Sequence, residues 1–175
     1  MALPKGRAIG LAAALSVVAS LVVAGSAFGA DHRLVRVQDD CDPVTFNAAI
    51  RPGTCMGDGR TTFDEFVAEL LATGSVKRWQ FSRPEFNIDA GGTITARNDG
   101  GEFHSFTEVP HFGNGCVPLL NPNDDPPVVP CSVLGATGLE PGDSLPVTVS
   151  TPGTHLFQCM IHPWMRSTVD VRARD

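Results

Sequence analysis

Short β segments separated by turn residues dominate the chain from Val76 onward, and this pattern limits the possible folds more than any other feature. The segments are VKRWQF, EFNIDA, TITARN, HSFTEV, LPVTVS, THLFQC and RSTVDVRA. Turn-forming residues lie between them, as in Asn98-Asp99-Gly100-Gly101 and Glu140-Pro141-Gly142-Asp143. About seven short strands at this spacing are typical of a β-sandwich. We therefore predict a mainly β domain over residues 76–175.

The first thirty residues have the layout of a targeting segment. Lys5 and Arg7 precede an apolar run from Ala8 to about Ala24, and small residues follow it. This order predicts a secretory signal peptide over residues 1–30, cleaved near residues 27–30. The run is also long enough to span a bilayer, which takes ~20 residues, so an uncleaved membrane anchor stays open. Either way we expect the rest of the chain in the periplasm or secreted, with no membrane contact in a cleaved mature form.

The charge balance excludes one large class of function. The chain holds 13 basic and 19 acidic residues, for a formal net charge of −6. Its first thirty residues contain two of the bases and no acid, so the remainder is more acidic still. Nucleic-acid binding demands a stripe of Lys and Arg on the protein surface, and this chain is a poor candidate for it. The length after residue 30 suits one domain, which we expect to be a monomer.

Four of the five cysteines are expected to form disulfides, because an exported protein normally pairs an even set. Cys41 and Cys55 bracket a short stretch containing Pro and Gly, while Cys116 and Cys131 bracket a Pro-rich stretch that reads as a long loop. Local pairing is the simplest of the three connectivities open to four cysteines. Each bridge would then stabilise the fold by roughly 3 kcal/mol in the chain-entropy model. This scheme leaves Cys159 unpaired.

Residues 31–75 are predicted to form a short, helical, disulfide-bonded N-terminal extension. Asp42 followed by proline is a typical helix start. Thr62 and Glu65 have the spacing of a capping box, in which each residue bonds to the backbone of the other. Apolar residues follow at helical spacing, and Gly74 suits the end of that helix.

The segment Cys159-Met160-Ile161-His162-Pro163-Trp164-Met165 offers a thiolate, an imidazole and a thioether within seven residues, just after a predicted strand. Two imidazoles, one thiolate and a weak axial methionine are the ligands of a blue-copper site. The second imidazole has to come from elsewhere, and His104, which opens the HSFTEV segment, is best placed. Zinc would usually prefer a tetrahedral set without methionine. We therefore predict one type 1 copper, and no catalytic residues, with these ligands: His104, Cys159, His162 and Met165.

Other residues near this segment are expected to have different roles. His111 is predicted to be a solvated loop residue, and His155 lies ~13 Å before Cys159 on an extended strand, too far to share a metal without a fold-back. Met160 should point away from the site. Ile161, unlike a proline, has an N–H that could donate to the Cys159 sulfur.

The segment from Cys159 to Met165 resembles the ligand loop of a known protein family. Cys-x-x-His-x-x-Met before a closing strand resembles the cupredoxins, the small blue copper proteins, with the loop spacing of amicyanin and a shorter His-to-Met gap than plastocyanin. GTHLFQCMIHPWMRSTVDV is similar to the last two strands and ligand loop of amicyanin, and NDGGEFHSFT is similar to the segment with the first His ligand. The resemblance covers about Trp79 to Val171. It implies a Greek-key β-sandwich with copper at one end.

The function implied by the resemblance is single-electron transfer by Cu(II)/Cu(I) cycling, through the ring edge of His162, between redox protein partners. Many relatives have Asn after the first His; here Ser105 is expected to hold the ligand loop through its hydroxyl. Trp164 is expected either to pack at the site or to lie exposed beside His162. Copper storage or delivery is an alternative, weakened by having only three methionines beyond Met1. A small copper enzyme is another, weakened by Met165 at the axial spacing.

Overall fold

The computed structural model describes Met1 and residues 31–174. The signal peptide or membrane anchor predicted for residues 1–30 therefore lies outside the described residues, apart from Met1. Within the described part of the chain, no helix is both long enough and apolar enough to cross a membrane.

Ten strands form two four-stranded sheets and a small two-stranded one. The strands are β1 (His32–Gln38), β2 (Gln80–Phe81), β3 (Glu85–Asp89), β4 (Gly92–Asn98), β5 (His104–Ser105), β6 (Thr107–Val109), β7 (Gly138–Leu139), β8 (Ser144–Val149), β9 (Gly153–Gln158) and β10 (Arg166–Arg172). The first sheet has the order β2-β1-β4-β8, the second has the order β3-β10-β9-β6, and β5 pairs with β7. The pairs β1–β4 and β3–β10 are parallel, and the others are antiparallel.

The two larger sheets share one apolar core, because alternate residues of their strands point inward. Ile94 of β4 and Val169 of β10 are both fully buried in it. Phe106, between β5 and β6, stacks on Phe157 of β9 with 4.4 Å between ring centroids and meets Phe81 of β2 edge-on at 5.2 Å. The predicted mainly β sandwich is therefore confirmed, and each of the seven predicted segments contains a strand.

Strand β1 is the main difference from the sequence-based organisation. It lies in the segment assigned to the N-terminal extension, yet it runs inside the first sheet between β2 and β4. Val35 and Val37 are fully buried, and the strand alternates buried and accessible positions at its centre. The sandwich therefore begins at His32, and the boundary predicted at residue 75 does not hold for this strand.

The predicted helix signals match the observed ends. Asp42 accepts from the Thr45 N–H at 2.8 Å at the start of the first helix. Thr62 and Glu65 form both bonds of a capping box, and Gly74 ends that helix with a φ of 73°, which glycine adopts without strain. The helices are α1 (Pro43–Ala49), α2 (Phe63–Thr73) and the short α3 (Leu134–Thr137).

Residues 41–74, here called the helical cap, pack on one end of the sandwich through aromatic rings. Phe46 of α1 stacks on Trp79 at 5.8 Å, and Phe66 of α2 meets both of these rings at 5.5 and 4.8 Å. The two predicted disulfides are both present. One closes the cap between Cys41 and Cys55, and the other joins Cys116 to Cys131 across the long loop, so the predicted local pairing is confirmed.

Candidate metal centre

His104, Cys159 and His162 converge at the end of the sandwich that the helical cap covers. His104 opens β5, while Cys159 directly follows β9. The Cys159 sulfur lies 3.8 Å from Nδ1 of His104 and 3.9 Å from Nδ1 of His162, and the two nitrogens are 3.2 Å apart. The circumcentre of this triangle is about 2.1 Å from each atom, which is a metal–ligand bond length for His and Cys. The three side chains are thus arranged as a trigonal metal site.

Backbone hydrogen bonds close the ligand loop. The Cys159 N–H donates to the Met165 carbonyl at 3.0 Å, and the Met165 N–H donates to the His162 carbonyl at 2.9 Å. These bonds turn the chain back on itself, so Cys159 and His162 face the same point. Met165 is buried in this loop. Its role as the fourth ligand stays a prediction.

The Cys159 sulfur accepts two backbone hydrogen bonds, from the N–H of Ser105 at 3.4 Å and from that of His162 at 3.5 Å. The expectation that Ile161 donates to this sulfur is wrong, because the turn aims the next N–H at it instead. The predicted role of Ser105 is confirmed: its hydroxyl accepts from the Met160 N–H at 2.8 Å and so ties the loop to β5.

A buried carboxylate holds the far side of the His104 ring. Oδ2 of Asp39 lies 2.8 Å from Nε2 of His104, and both side chains are inaccessible to solvent. The same carboxylate accepts from the N–H groups of Gly101 and Glu102, each at 3.0 Å. Burial alone would raise the pKa of Asp39, but His104 and these N–H groups outweigh it and lower the pKa to about 2. His104 therefore faces a fixed negative charge.

The thiol and the first imidazole form a charge-stabilised pair. Burial opposes ionisation of both groups. For Cys159, the hydrogen bonds and charges of His104 and His162 outweigh burial and hold the pKa of the thiol well below its ordinary value. For His104, Asp39 and Cys159 together raise the pKa to about 9. The thiolate, which is the form that binds metals, is therefore favoured in the folded protein.

A second buried carboxylate, that of Glu102, lies near the His162 imidazole, but farther from it than Asp39 lies from His104. Oε2 of Glu102 is 3.7 Å from Nε2 of His162 and accepts from the indole N–H of Trp79 at 2.6 Å. Burial raises the pKa of Glu102 above its ordinary value, despite the opposing charge of His162. Glu102 is therefore held by its hydrogen bond to Trp79 and not by a hydrogen bond to His162.

The His162 ring is buried under the helical cap, with 3% of its surface exposed. Phe66 of α2 meets it edge-on at 6.4 Å, and Trp164 packs against it at 5.5 Å. Trp164 is half-buried, which agrees with the expectation that it packs at the site and not with the expectation that it lies exposed. The ring lines a cavity of about 800 Å³, which Glu102 also lines.

The remaining histidines lie elsewhere. His111 is exposed in its loop, and His155 on β9 bonds to Glu108 at 2.7 Å and to the Thr151 carbonyl at 2.8 Å. Among the described residues, only one cluster of His, Cys, Asp and Glu side chains is suited to a metal ion, and it consists of His104, Cys159 and His162. Asp39 was not predicted from the sequence, because it follows β1, a strand that the sequence did not reveal.

The donor set decides what the site can hold. Two imidazole nitrogens and one thiolate, closed off from water and arranged around one point, suit a soft or borderline transition metal ion. Hard ions such as Mg²⁺ and Ca²⁺ prefer oxygen ligands and do not fit. The residues present therefore fit the copper ion predicted from the sequence.

Several solved structures match this chain at low sequence identity. A purple cupredoxin from Nitrosopumilus maritimus is 16% identical, with 79% of this chain and 98% of that chain covered and a TM-score of 0.43. The oxidised plastocyanin of Dryopteris crassirhizoma is 18% identical, with coverage of 79% and 99% and a TM-score of 0.40. Amicyanin from Paracoccus versutus is 19% identical, with coverage of 56% and 77% and a TM-score of 0.37.

These structures are cupredoxins, the family that the ligand loop resembles. No protein-family model and no curated protein sequence matches the chain.

Proposed function

We propose that this protein is an exported, mononuclear blue copper protein of the cupredoxin type that carries single electrons between redox partners. One observation supports this most strongly: the trigonal arrangement of two Nδ1 atoms and one sulfur at metal-bonding distance from a common centre. His104, Cys159 and His162 would hold the copper, and Met165 would supply a weak fourth ligand.

When bound, copper supplies a one-electron couple between Cu(II) and Cu(I). The chain's own contribution is to keep the ligands in one geometry in both states. His104 is fixed by Asp39, and Cys159 by two N–H donors. The loop is fixed by Ser105 and by its own backbone bonds. Ligands held this firmly move little when the charge of the metal changes, which favours fast electron exchange.

The same enclosure supports a carrier over an enzyme. His104 and Cys159 are fully buried, and His162 is nearly so. Met165, as the proposed fourth ligand, would leave no position where a substrate could bind to the metal. Electrons would pass on the His162 side, because it is the ligand whose ring lines a cavity open to solvent.

Export is proposed from two features of the chain. The first is the signal-like arrangement of the N-terminal residues. The second is the pair of disulfides, which persist in oxidising compartments and are rare in the cytosol.

Voltammetry of the copper-loaded protein tests the carrier function. We expect a reversible one-electron couple that is lost in Cys159→Ala and retained in the control His111→Ala, since His111 lies exposed outside the site. Rapid loss of Cu(I) to a soluble chelator after reduction would contradict electron carriage and favour copper delivery.

A further inference from the structure

The cavity beside His162 has the size and walls of a small-molecule site. Its volume is about 800 Å³, within the range of about 300–1,000 Å³ that is usual for ligand pockets. It lies between the helical cap and the loop at residues 117–120. Its walls include these apolar side chains: Phe46, Phe66, Val67, Leu70, Leu120 and Ile161.

Two polar atoms line this apolar cavity without partners. Glu102 is only 6% exposed, and its Oε2 is bonded to Trp79, but its Oε1 has no hydrogen-bond partner among the described residues and is not sealed off from solvent. Nε2 of His162 likewise has no hydrogen-bond partner in residues 31–174, the nearest carboxylate oxygen being 3.7 Å away. When Nδ1 of His162 faces a metal, Nε2 carries the ring proton. The cavity thus presents one acceptor and one donor side by side.

The rim of the cavity is also apolar. Ile50, Met56, Leu71 and Leu119 are between 53% and 92% exposed, and all four line it. Among the described residues, Val44 and Met1 are the only other large apolar side chains that are exposed to this degree. Apolar surface concentrated at one opening indicates a binding site.

We propose that this cavity binds a small, uncharged aromatic molecule that carries a hydroxyl group. A hydroxyl both donates to Oε1 of Glu102 and accepts from the Nε2–H of His162, so one group satisfies both atoms. An anionic oxygen in place of the hydroxyl could not donate to Oε1 of Glu102, and an ammonium could not accept from the Nε2–H of His162. The aromatic body would pack against the phenylalanine rings of the walls. Binding requires no particular metal, so it can succeed where the proposed electron transfer fails.

Equilibrium dialysis of the protein as purified, under argon, tests the proposal with two probes of similar size. 2-Naphthol can donate a hydrogen bond, whereas 2-methoxynaphthalene cannot. We expect saturable binding of one 2-naphthol per chain, about tenfold tighter than 2-methoxynaphthalene, because leaving a buried acceptor without a hydrogen bond costs about that factor.

Matched variants locate the site. Glu102→Gln keeps an acceptor for Trp79 but can turn its amide N–H toward the cavity, so the preference for 2-naphthol should disappear. Glu140→Gln changes the exposed carboxylate at the cavity mouth and should leave both affinities unchanged. Leu119→Asp, at a position 92% exposed, should fold normally and weaken the binding of both probes.

Equal affinity for the two probes, or equal loss in the two glutamate variants, would overturn the assignment of the polar atoms. Absence of saturable binding would overturn the site itself. Sedimentation could also show a dimer that the Leu119→Asp substitution dissociates. Such a dimer, together with no binding of 2-naphthol, would assign this surface to a second copy of the chain and contradict the proposal.

Discussion

The two histidines of the metal centre differ in how their outer nitrogens are held. Nε2 of His104 is bonded directly to Asp39 inside the sandwich, at 2.8 Å. Nε2 of His162 lies 3.7 Å from Glu102, under the helical cap and beside a cavity. Both carboxylates are buried, yet the pKa of Asp39 falls to about 2 while that of Glu102 rises.

The difference shows that burial alone does not determine the charge state of a carboxylate. Asp39 receives backbone N–H groups as well as the imidazole, and these compensate for the lost solvation. Glu102 receives one neutral indole N–H, and this single bond does not compensate for the lost solvation. The His104 side is therefore fixed and charged, whereas the His162 side is less constrained and more accessible.

The largest expected effect comes from removing the cover of His162. Phe66→Ala should lower the free energy of unfolding by about 3–4 kcal/mol, because it empties a buried aromatic position between the cap and the site. Leu71→Ala on the same helix should change it by less than about 0.5 kcal/mol, because Leu71 is exposed. Urea unfolding measures both values, and similar losses in the two variants would show that the cap is not anchored at Phe66.

A smaller effect should separate the two carboxylates. Asp39→Asn should weaken Cu(II) binding by about 10–100-fold, as expected for the loss of a carboxylate bonded to a ligand histidine. Each tenfold loss that affects Cu(II) but not Cu(I) raises the reduction potential by ~59 mV. Competition titration and voltammetry measure the two quantities.

Glu102→Gln is the matched control for that experiment, because Glu102 makes no direct hydrogen bond to His162. We expect its Cu(II) affinity to stay within about threefold of the unmodified protein, a small fraction of the usual effect of a bonded carboxylate. Equal losses in both variants would remove the distinction between the two sides of the site.

The smallest effect concerns a third pair, His155 with Glu108, which lacks deep burial. Burial lowers the pKa of His155, but its bonds to the Thr151 carbonyl and Glu108 outweigh this and raise it. The pair therefore stabilises the fold fully below the ordinary histidine pKa of about 6.5 and loses that contribution as pH rises through the raised value.

Glu108→Gln should accordingly lower the free energy of unfolding by about 0.5 kcal/mol at about pH 6, the size usual for a partly exposed pair. The loss should vanish in alkaline solution. Chemical unfolding at several pH values checks this, and a loss that grows with pH would contradict the assignment.

Much of the fold follows from local sequence signals. The capping pairs at Asp42 and Thr62, the turn residues between strands and the local cysteine pairs all act over a few residues, and each predicted its structure correctly. Strand β1 was missed, although HRLVRVQ has an apolar residue at alternate positions near its centre. Its place is set by parallel pairing with β4, some sixty residues away, which leaves no local mark.

The candidate site shows the same division. The spacing within Cys159–Met165 and the position of His104 led to residues that the structure brings together. The carboxylates of Asp39 and Glu102 could not be predicted, because each meets its histidine only after distant segments have packed. Burial of His162 was also missed, since it depends on where the helical cap lies.

Titration of the metal-free protein with Cu(II), followed by visible absorption, tests the ligand assignment most directly. We predict that one copper per chain produces an intense thiolate-to-copper charge-transfer band, that Cys159→Ala abolishes it, and that His104→Ala leaves a perturbed site. Copper binding without that band, or an unchanged band in Cys159→Ala, would contradict the account.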